Sequence, residues 1–258
     1  MRQLRHAAIG LASAFALVLA APAAEALPVG YDLQITVDDA SGGGNIGSMN
    51  LQGLQTMGLV SETTNPGAGT TTAALTGPMM GSGGLWTLDS WDSTLKEDPW
   101  ITNNFVVTNN TGGVATFTIT VSSPIPAFNA NQIVQSTIQL SILDDDNAGG
   151  ASASSVAGID VYQGKVNGTT ALSLLDDPFA ISCTSPVDCV INGNTADGVA
   201  SQPFGPAVAT NIGITVTFQL SNGDSASVLS RFEIVPEPGT GLLMTAGLLA
   251  LAGLHRRR

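Results

Sequence analysis

Histidine is missing from most of this 258-residue chain, because His6 and His255 lie close to its two ends. A Ser-His-Asp or Cys-His catalytic system needs an imidazole as its base. Zinc and iron sites of the common kinds also take histidine ligands. Both classes of site are therefore excluded for residues 27–235.

Basic residues are scarce in the same region. Lys96, Lys165 and Arg231 are its three cations, against eighteen acidic residues, so its net charge is −15, compared with −12 for the whole chain. A protein neutralises nucleic-acid phosphates with clustered Lys and Arg side chains. Three scattered cations cannot form such a cluster, which excludes nucleic acid as a partner.

Long apolar runs are confined to the two ends of the chain. At the N-terminus, Arg2 and Arg5 precede the apolar run Ala7–Ala21, and small residues follow as far as Ala26. This order is typical of a secretory signal peptide that is cleaved after Ala26. As a helix the run would be about 22 Å long, too short to cross the hydrocarbon layer comfortably. We therefore predict a signal helix within residues 1–26 and an exported protein.

The second apolar run, Gly239–Leu254, is followed by Arg256, Arg257 and Arg258. Its 16 residues would form a helix of about 24 Å, which is marginal for a permanent membrane span. The arginines resist translocation and keep the end of the chain cytoplasmic. We expect a short transmembrane helix that holds the main domain outside the inner membrane.

Directly before this run stands the motif VPEP, formed by Val235, Pro236, Glu237 and Pro238. A VPEP motif, an apolar run and terminal arginines, in this order, resemble the PEP-CTERM sorting signal of exported proteins in diderm bacteria. The resemblance implies that an exosortase, a membrane-embedded transpeptidase-like enzyme, cuts the tail in cells that make extracellular polysaccharide. The stretch Lys96–Pro126 also resembles many PEP-CTERM proteins, but it implies no catalytic residues.

The resemblance implies a sequence of locations and partners. The export machinery would deliver the chain, and the C-terminal tail would insert transiently in the inner membrane as a precursor. After cutting by the exosortase, the protein would reach the cell surface or the extracellular matrix, such as that of a biofilm. Extracellular polysaccharide is the polymer with which we expect it to associate.

The cysteine content is also low, with only Cys183 and Cys189, in SCTSPVDCV. A close pair in an exported chain is typical of a disulfide that closes a small loop. The alternative, a two-thiol metal site or redox pair, lacks both further ligands and the C-x-x-C spacing. We predict a disulfide.

Apolar and polar residues alternate with a period of two along much of the central region, as in half-buried strands. In IGITVTFQL the residues that share one face are Ile212, Ile214, Val216, Phe218 and Leu220. The same alternation occurs at 33–37, 117–121, 138–142 and 228–234. Turn residues in NNTGG (109–113) and SNGDS (221–225) predict hairpins between the strands that they connect.

We therefore expect an all-β fold, with a single antiparallel β-sandwich of the jelly-roll type over residues 27–235. The signal helix (1–26) and the sorting tail with its apolar helix (236–258) flank this one domain. The Gly- and Thr-rich residues 40–84 leave several structures open. They are compatible with loops, short strands or one brief helix near Met49–Leu59.

The acidic segment DDDNAGG follows a predicted strand. Carboxylates on a glycine-containing loop suit calcium, so Asp144 and Asp146 are candidate ligands, with Asp176 and Asp177 as candidate helpers. The spacing is not that of an EF-hand, since the twelfth position holds Ser155. The alternative is a solvated acidic turn. No cofactor other than calcium is indicated.

Another motif, SGGGNIGS, has the G-x-G-x-x-G spacing at Gly42, Gly44 and Gly47, which in nucleotide-binding proteins surrounds a pyrophosphate. No strand–helix–strand repeat follows it, so a strand-to-strand loop is the favoured interpretation. The acidic residue downstream, Glu62, does not change that preference.

Three tryptophans, Trp86, Trp91 and Trp100, lie close together in the sequence. They suit either a sugar-binding surface or the core of a sandwich, and we expect at least two of them to be buried. Paired carboxylates would serve a glycosidase, but no local spacing singles out such a pair. The sequence therefore favours a non-enzymatic exported protein. The alternative is a carbohydrate-binding module or a carboxylate-dependent glycosidase acting on the extracellular polysaccharide.

Overall fold

The computed structural model describes residues 27–96, 99–127, 132–146, 149–183 and 200–235. These residues form seventeen β-strands and one α-helix of six residues, α1 (Leu51–Thr56). In chain order the strands are β1 (Asp32–Asp39), β2 (Gly44–Asn50), β3 (Val60–Asn65), β4 (Thr70–Leu75), β5 (Met79–Met80), β6 (Trp86–Lys96), β7 (Trp100–Thr102), β8 (Asn104–Asn109), β9 (Ala115–Pro124), β10 (Gln132–Asp144), β11 (Ser152–Ser154), β12 (Tyr162–Val166), β13 (Thr169–Leu174), β14 (Ala180–Ser182), β15 (Ala200–Gly205), β16 (Asn211–Leu220) and β17 (Asp224–Val235).

The strands form two antiparallel sheets, which confirms the all-β prediction. Sheet 1 has eight strands in the order β13-β12-β16-β9-β1-β2, with β11 paired to β16 and β14 paired to β11. Sheet 2 has nine strands in the order β15-β10-β17-β7-β6-β4-β3, with β8 paired to β17 and β6, and β5 paired to β6. The longest pairing joins β10 to β17 over twelve residue pairs.

The two sheets share one hydrophobic core, in a sandwich-like arrangement. Phe218 of sheet 1 stacks on Phe105 of sheet 2 with ring centroids 6.4 Å apart. Tyr162 of sheet 1 donates a hydrogen bond from its buried hydroxyl to the Arg231 carbonyl of sheet 2, at 3.0 Å. Burial raises the pKa of this tyrosine well above its usual range. This hydrogen bond links the two sheets across the core.

The alternating residues predicted to face the core do so. The apolar positions of β1, β9, β10 and β16 named from the sequence are all at most 3% exposed. β16 lies in the middle of sheet 1 between β12 and β9, and most of its residues are buried on both faces. A strictly alternating pattern therefore understates the burial of this strand.

Both predicted hairpins are wrong. The NNTGG segment connects β8 in sheet 2 to β9 in sheet 1, and the turn after Leu220 connects β16 in sheet 1 to β17 in sheet 2. Each connection is therefore a crossing between sheets rather than a turn between paired strands. The two crossings lie side by side, because Gly112 N–H donates to Asn222 Oδ1 at 2.6 Å.

The segment left open from the sequence, residues 40–84, forms three complete strands, β2 to β4, then the short β5 and a 3-10 turn at Ser82–Gly84. The brief helix expected near Met49–Leu59 is α1, which begins after Asn50, whose side chain accepts a hydrogen bond from the Gly53 amide at 2.9 Å. Among the described residues no helix is long and apolar enough to cross a membrane. The predicted signal helix and apolar tail helix lie outside the described residues.

Candidate functional site

The most unusual polar site of the described residues lies at one end of sheet 2, where β10 ends and β17 begins. The antiparallel register places Asp144, the last residue of β10, directly opposite Asp224, the first residue of β17. Asp144 is 7% exposed and Asp224 is 1% exposed. Like charges opposite each other on neighbouring strands are destabilising. The strand pairing therefore brings together two carboxylates that ordinarily repel each other.

Asp146, which is exposed, completes the group. One carboxylate oxygen from each of Asp144, Asp146 and Asp224 lies within 4.8 Å of the others, so the three form what we call the acidic cluster. The Asp146 carboxylate rests on the backbone of Gly223. A Cβ atom added to this glycine would lie 2.1 Å from Asp146 Oδ2, and its φ of 78° is in the region that favours glycine.

Hydrogen bonds satisfy only part of the acidic cluster. Asp144 Oδ2 accepts from the Gly150 amide at 3.1 Å, whereas Asp144 Oδ1 is buried and has no hydrogen-bond partner. Ser221 donates its hydroxyl proton to Asp224 Oδ2. Burial raises the pKa of Asp224, the Ser221 hydrogen bond lowers it, and the nearby Asp144, Asp146 and Asp145 carboxylates raise it further. Negative charge is thus concentrated at this end of sheet 2.

The turn below the acidic cluster is held by Asn109, which is fully buried. Its side-chain amide donates to the carbonyls of Leu220 and Ser221 at 2.8 and 3.0 Å, and its own carbonyl accepts from the Gly223 amide at 2.7 Å. These bonds fix the path of residues 221–223 between the sheets. They therefore fix the positions of Gly223 and Asp224 as well.

Sequence analysis found two members of this cluster and missed the third. Asp176 and Asp177, the predicted helpers, are not among its residues. Asp177 instead accepts from the Ser155 hydroxyl at 2.6 Å and the Gly158 amide at 3.0 Å, and these bonds hold its pKa below the usual value. Asp224 lies in the segment 221–225, whose turn residues predict a hairpin and give no indication of a metal ligand.

The glycine-rich motif connects two strands and packs against a buried tryptophan. Residues 40–43 connect the antiparallel strands β1 and β2, so the strand-to-strand loop interpretation is confirmed. Gly47 lies against the Trp86 indole, where an added Cβ would come 2.9 Å from Nε1. The loop borders an open depression of about 700 Å³ with Thr111 and neighbouring residues, in which Asp39 is the one carboxylate among the lining residues described.

The tryptophans are mostly in the core, as expected. Trp86 and Trp91 are 1% and 2% exposed. Trp91 Nε1 donates to the buried Asn103 side chain at 3.2 Å. Trp100 is half-buried, and the Arg231 guanidinium covers its ring at 4.5 Å from the centroid. Trp86 and Trp91 therefore offer no exposed ring face on which a sugar could stack.

Only one cysteine of the predicted disulfide lies among the described residues. Cys183 is half-buried against the core, and its amide donates to the Ala151 carbonyl at 2.9 Å. Cys189 lies outside the described residues, so the pairing stays a prediction.

The end of β17 lies directly before the prolines of the VPEP motif in the sequence. β17 is a central strand of sheet 2, and it ends at Val235, as the two prolines of the VPEP motif predict. Residues 235–258 match the family model of the PEP-CTERM protein-sorting motif. The chain carries a PEP-CTERM sorting signal. A comparison with curated proteins finds no match.

The PEP-CTERM signal marks an exported protein that is processed by an exosortase and is transiently associated with the membrane. The remaining residues of the predicted motif, Pro236, Glu237 and Pro238, and the terminal arginines Arg256, Arg257 and Arg258 lie outside the described residues. The match to the sorting signal thus begins at the last residue of a central strand of sheet 2.

Proposed function

We propose that this PEP-CTERM protein is a non-enzymatic component of the cell surface or of the extracellular polysaccharide matrix. In this proposal the two sheets form a single jelly-roll-like sandwich over residues 27–235, which the tail holds at the inner membrane until an exosortase cuts it. The observation that carries the proposal is the PEP-CTERM signal joined directly to the end of β17. The signal thus directs the sorting of the folded domain.

The described surface supports a structural role over an enzymatic one. A glycosidase needs two carboxylates about 5 to 10 Å apart beside a bound sugar. The close pair Asp144 and Asp224 is buried, and the large depression near Thr111 contains one carboxylate among its described lining residues. Trp86 and Trp91 are core residues, which removes two of the three candidate stacking platforms.

The sorting step is tested by changing Glu237, the acidic residue of the motif. We expect Glu237→Ala to leave export and folding intact while the uncut precursor accumulates in the inner membrane. The matched control is Glu233→Ala, four residues earlier, which removes one surface ion pair with Arg231 and should cost about 1 kcal/mol or less. Fractionation followed by intact-mass analysis measures both variants. Surface-delivered wild-type protein that still extends to Arg258 would contradict the proposal.

A separate assay tests whether the protein binds or cleaves polysaccharide. The secreted protein is incubated with the extracellular polysaccharide of the producing bacterium, and both binding and the release of reducing ends are followed. Binding or retention without cleavage supports the matrix role. Cleavage that is lost on substitution of a carboxylate would instead establish the glycosidase alternative, and tight binding of one defined glycan would establish the carbohydrate-binding module.

A further inference from the structure

We propose that the acidic cluster, Asp144, Asp146 and Asp224, binds one calcium ion at the end of sheet 2. Its three carboxylates come from the end of β10, the residues just after it and the start of β17. They converge although Asp144 and Asp224 are 80 positions apart in the sequence. Convergence from separate segments of a folded sheet distinguishes this group from an acidic run on a solvated loop.

The second observation is the state of Asp144. Its side chain is more than nine-tenths buried, and its Oδ1 atom has no hydrogen-bond partner. A buried carboxylate oxygen that has lost its water is costly unless a donor or a cation replaces that water. It also faces the buried Asp224 across the strand pair. A bound cation would satisfy the oxygen and remove the repulsion together.

The chain's own cations cannot do this. On β17, Arg231 lies seven residues beyond Asp224, which is roughly 23 Å along a strand. Lys96 pairs across β7 with the same end of β17, because it lies opposite Trp100, which lies opposite Glu233. Lys165 lies opposite Gly213 in sheet 1, at the far end of β16 from Leu220. Among the described residues, these three cations therefore lie away from Asp144 and Asp224, and a cation from solution would supply the compensating charge.

The spacing of the oxygens suits calcium. Calcium binds oxygen ligands at about 2.3–2.6 Å, so two of its ligands can be as far apart as about 5 Å. The cluster's limit of 4.8 Å falls within this range. Magnesium demands near-octahedral geometry at about 2.0–2.1 Å and dehydrates reluctantly, whereas calcium accepts six to eight oxygen ligands in a flexible geometry. We therefore expect calcium to bind more tightly than magnesium.

The frame of the site is held in place without the ion. Asn109 fixes the turn that carries Gly223 and Asp224, and the Gly150 amide orients Asp144. Gly223 leaves room for Asp146 to lie over the turn. Because three carboxylates supply only part of a calcium shell and water supplies the rest, we expect an affinity like that of other extracellular modules, with Kd about 10⁻⁴–10⁻³ M.

Calorimetric titration of the exported protein, stripped with chelator, with calcium chloride tests the proposal. We expect one calcium ion per chain and at least tenfold weaker binding in Asp146→Asn and in Asp224→Asn. The matched control is Asp145→Asn. Asp145 is exposed and is not a member of the cluster, so this variant removes the same charge from the position next to Asp146. It should bind calcium within about twofold of wild type, since diffuse surface charge contributes little at physiological salt.

Thermal unfolding gives an independent readout. Calcium at 10 times its Kd should raise the Tm of the wild type by a few degrees through mass action and leave Asp146→Asn almost unchanged. Asp146 is exposed, so this variant decides the matter even if Asp224→Asn fails to fold. The proposal is overturned if wild type does not bind calcium at 10 mM, or if Asp145→Asn weakens binding as much as Asp146→Asn does. Equal affinity for magnesium would overturn the assignment to calcium.

Discussion

A single buried side chain, Trp86, explains two glycines that the sequence alone leaves unexplained. Gly47 and Gly81 both contact the indole ring, and a Cβ added to Gly81 would lie 2.0 Å from its Cε2 atom. The ring is 1% exposed and cannot swing into solvent. Gly47 is therefore required by packing, although its spacing from Gly42 and Gly44 imitates a phosphate-binding motif.

Replacing Gly81 should consequently destabilise the protein. We expect Gly81→Ala to lower the free energy of unfolding by about 2 kcal/mol, because the new methyl group overlaps a ring that is packed on all sides. Gly77→Ala is the matched control, since no atom lies within 4 Å of its added Cβ and its φ is not positive. Urea denaturation of the two variants measures the difference. Equal stabilities would show that Trp86 can shift to make room.

At the scale of single residues, the core was predictable and the acidic cluster was so only in part. Alternation with a period of two identifies Leu33 or Ile119 as buried, because strand geometry alone decides which face they share. Asp144 was found because a run of acids is visible in the sequence. Asp224 was not, because its neighbour across the sheet is set by the pairing of β10 with β17, which local pattern does not contain.

At the scale of elements, the same dipeptide has two different structures in this chain. Asn167-Gly168 has positive φ at both residues, 52° and 77°, and connects the paired strands β12 and β13 as a hairpin. Asn222-Gly223 has positive φ only at the glycine, and it connects the two sheets. A type I′ turn needs positive φ at both positions. The hairpin prediction at 221–225 failed because Asn-Gly permits that turn without requiring it.

The contacts that hold the crossings are tertiary. Asn109 ends β8, yet its side chain bonds the carbonyls at the end of β16, more than 100 residues later. One amide thus ties together the two places where the chain passes between the sheets. The NNTGG sequence does not predict this role, because it gives no reason to distinguish Asn109 from Asn110.

We therefore expect the two asparagines to differ sharply on substitution. Asn109→Ala should lower the free energy of unfolding by about 3 kcal/mol, because it removes this donor from the buried Leu220 carbonyl and the part-buried Ser221 carbonyl. Asn110→Ala should change it by less than about 0.5 kcal/mol, since this side chain is exposed. Chemical denaturation monitored by tryptophan fluorescence compares them. Similar losses for both variants would contradict the role given to the Asn109 side chain.

At the scale of the whole molecule, β17 connects the two features of functional interest. It begins at Asp224 in the acidic cluster and ends at Val235, where the sorting signal starts, a distance of roughly 35 Å along the strand. Arg231 lies near the Val235 end, and Lys96 lies beside it through the β6–β7–β17 pairing. Lys165 follows Gly164, which packs against Phe232 of β17. The cations among the described residues thus lie toward the tail, and the acidic cluster lies at the opposite end.

This polarity predicts how the precursor stands on the membrane before it is cut. Only Pro236, Glu237 and Pro238 separate Val235 from the apolar run, which allows about 10 Å of extended chain. In the proposed precursor, whose apolar run lies in the inner membrane, we therefore expect the Val235 end to face the lipid and the acidic cluster to point away from it, where solution calcium is accessible.

Energy transfer from a fluorophore on the full-length precursor to acceptor lipids measures this orientation. Val29 is 99% exposed. It lies at the Val235 end of the molecule, because the adjacent Gly30 packs on Pro124 at the end of β9. Asp145 is exposed at the opposite end, beside the acidic cluster. We expect a label on Val29→Cys to transfer energy strongly and a label on Asp145→Cys to transfer it weakly. After the tail is cut and the protein leaves the membrane, both signals should fall to the same level. Equal transfer from the two positions in the uncut precursor would mean that the domain tumbles freely on its tail, which three residues of chain should not allow.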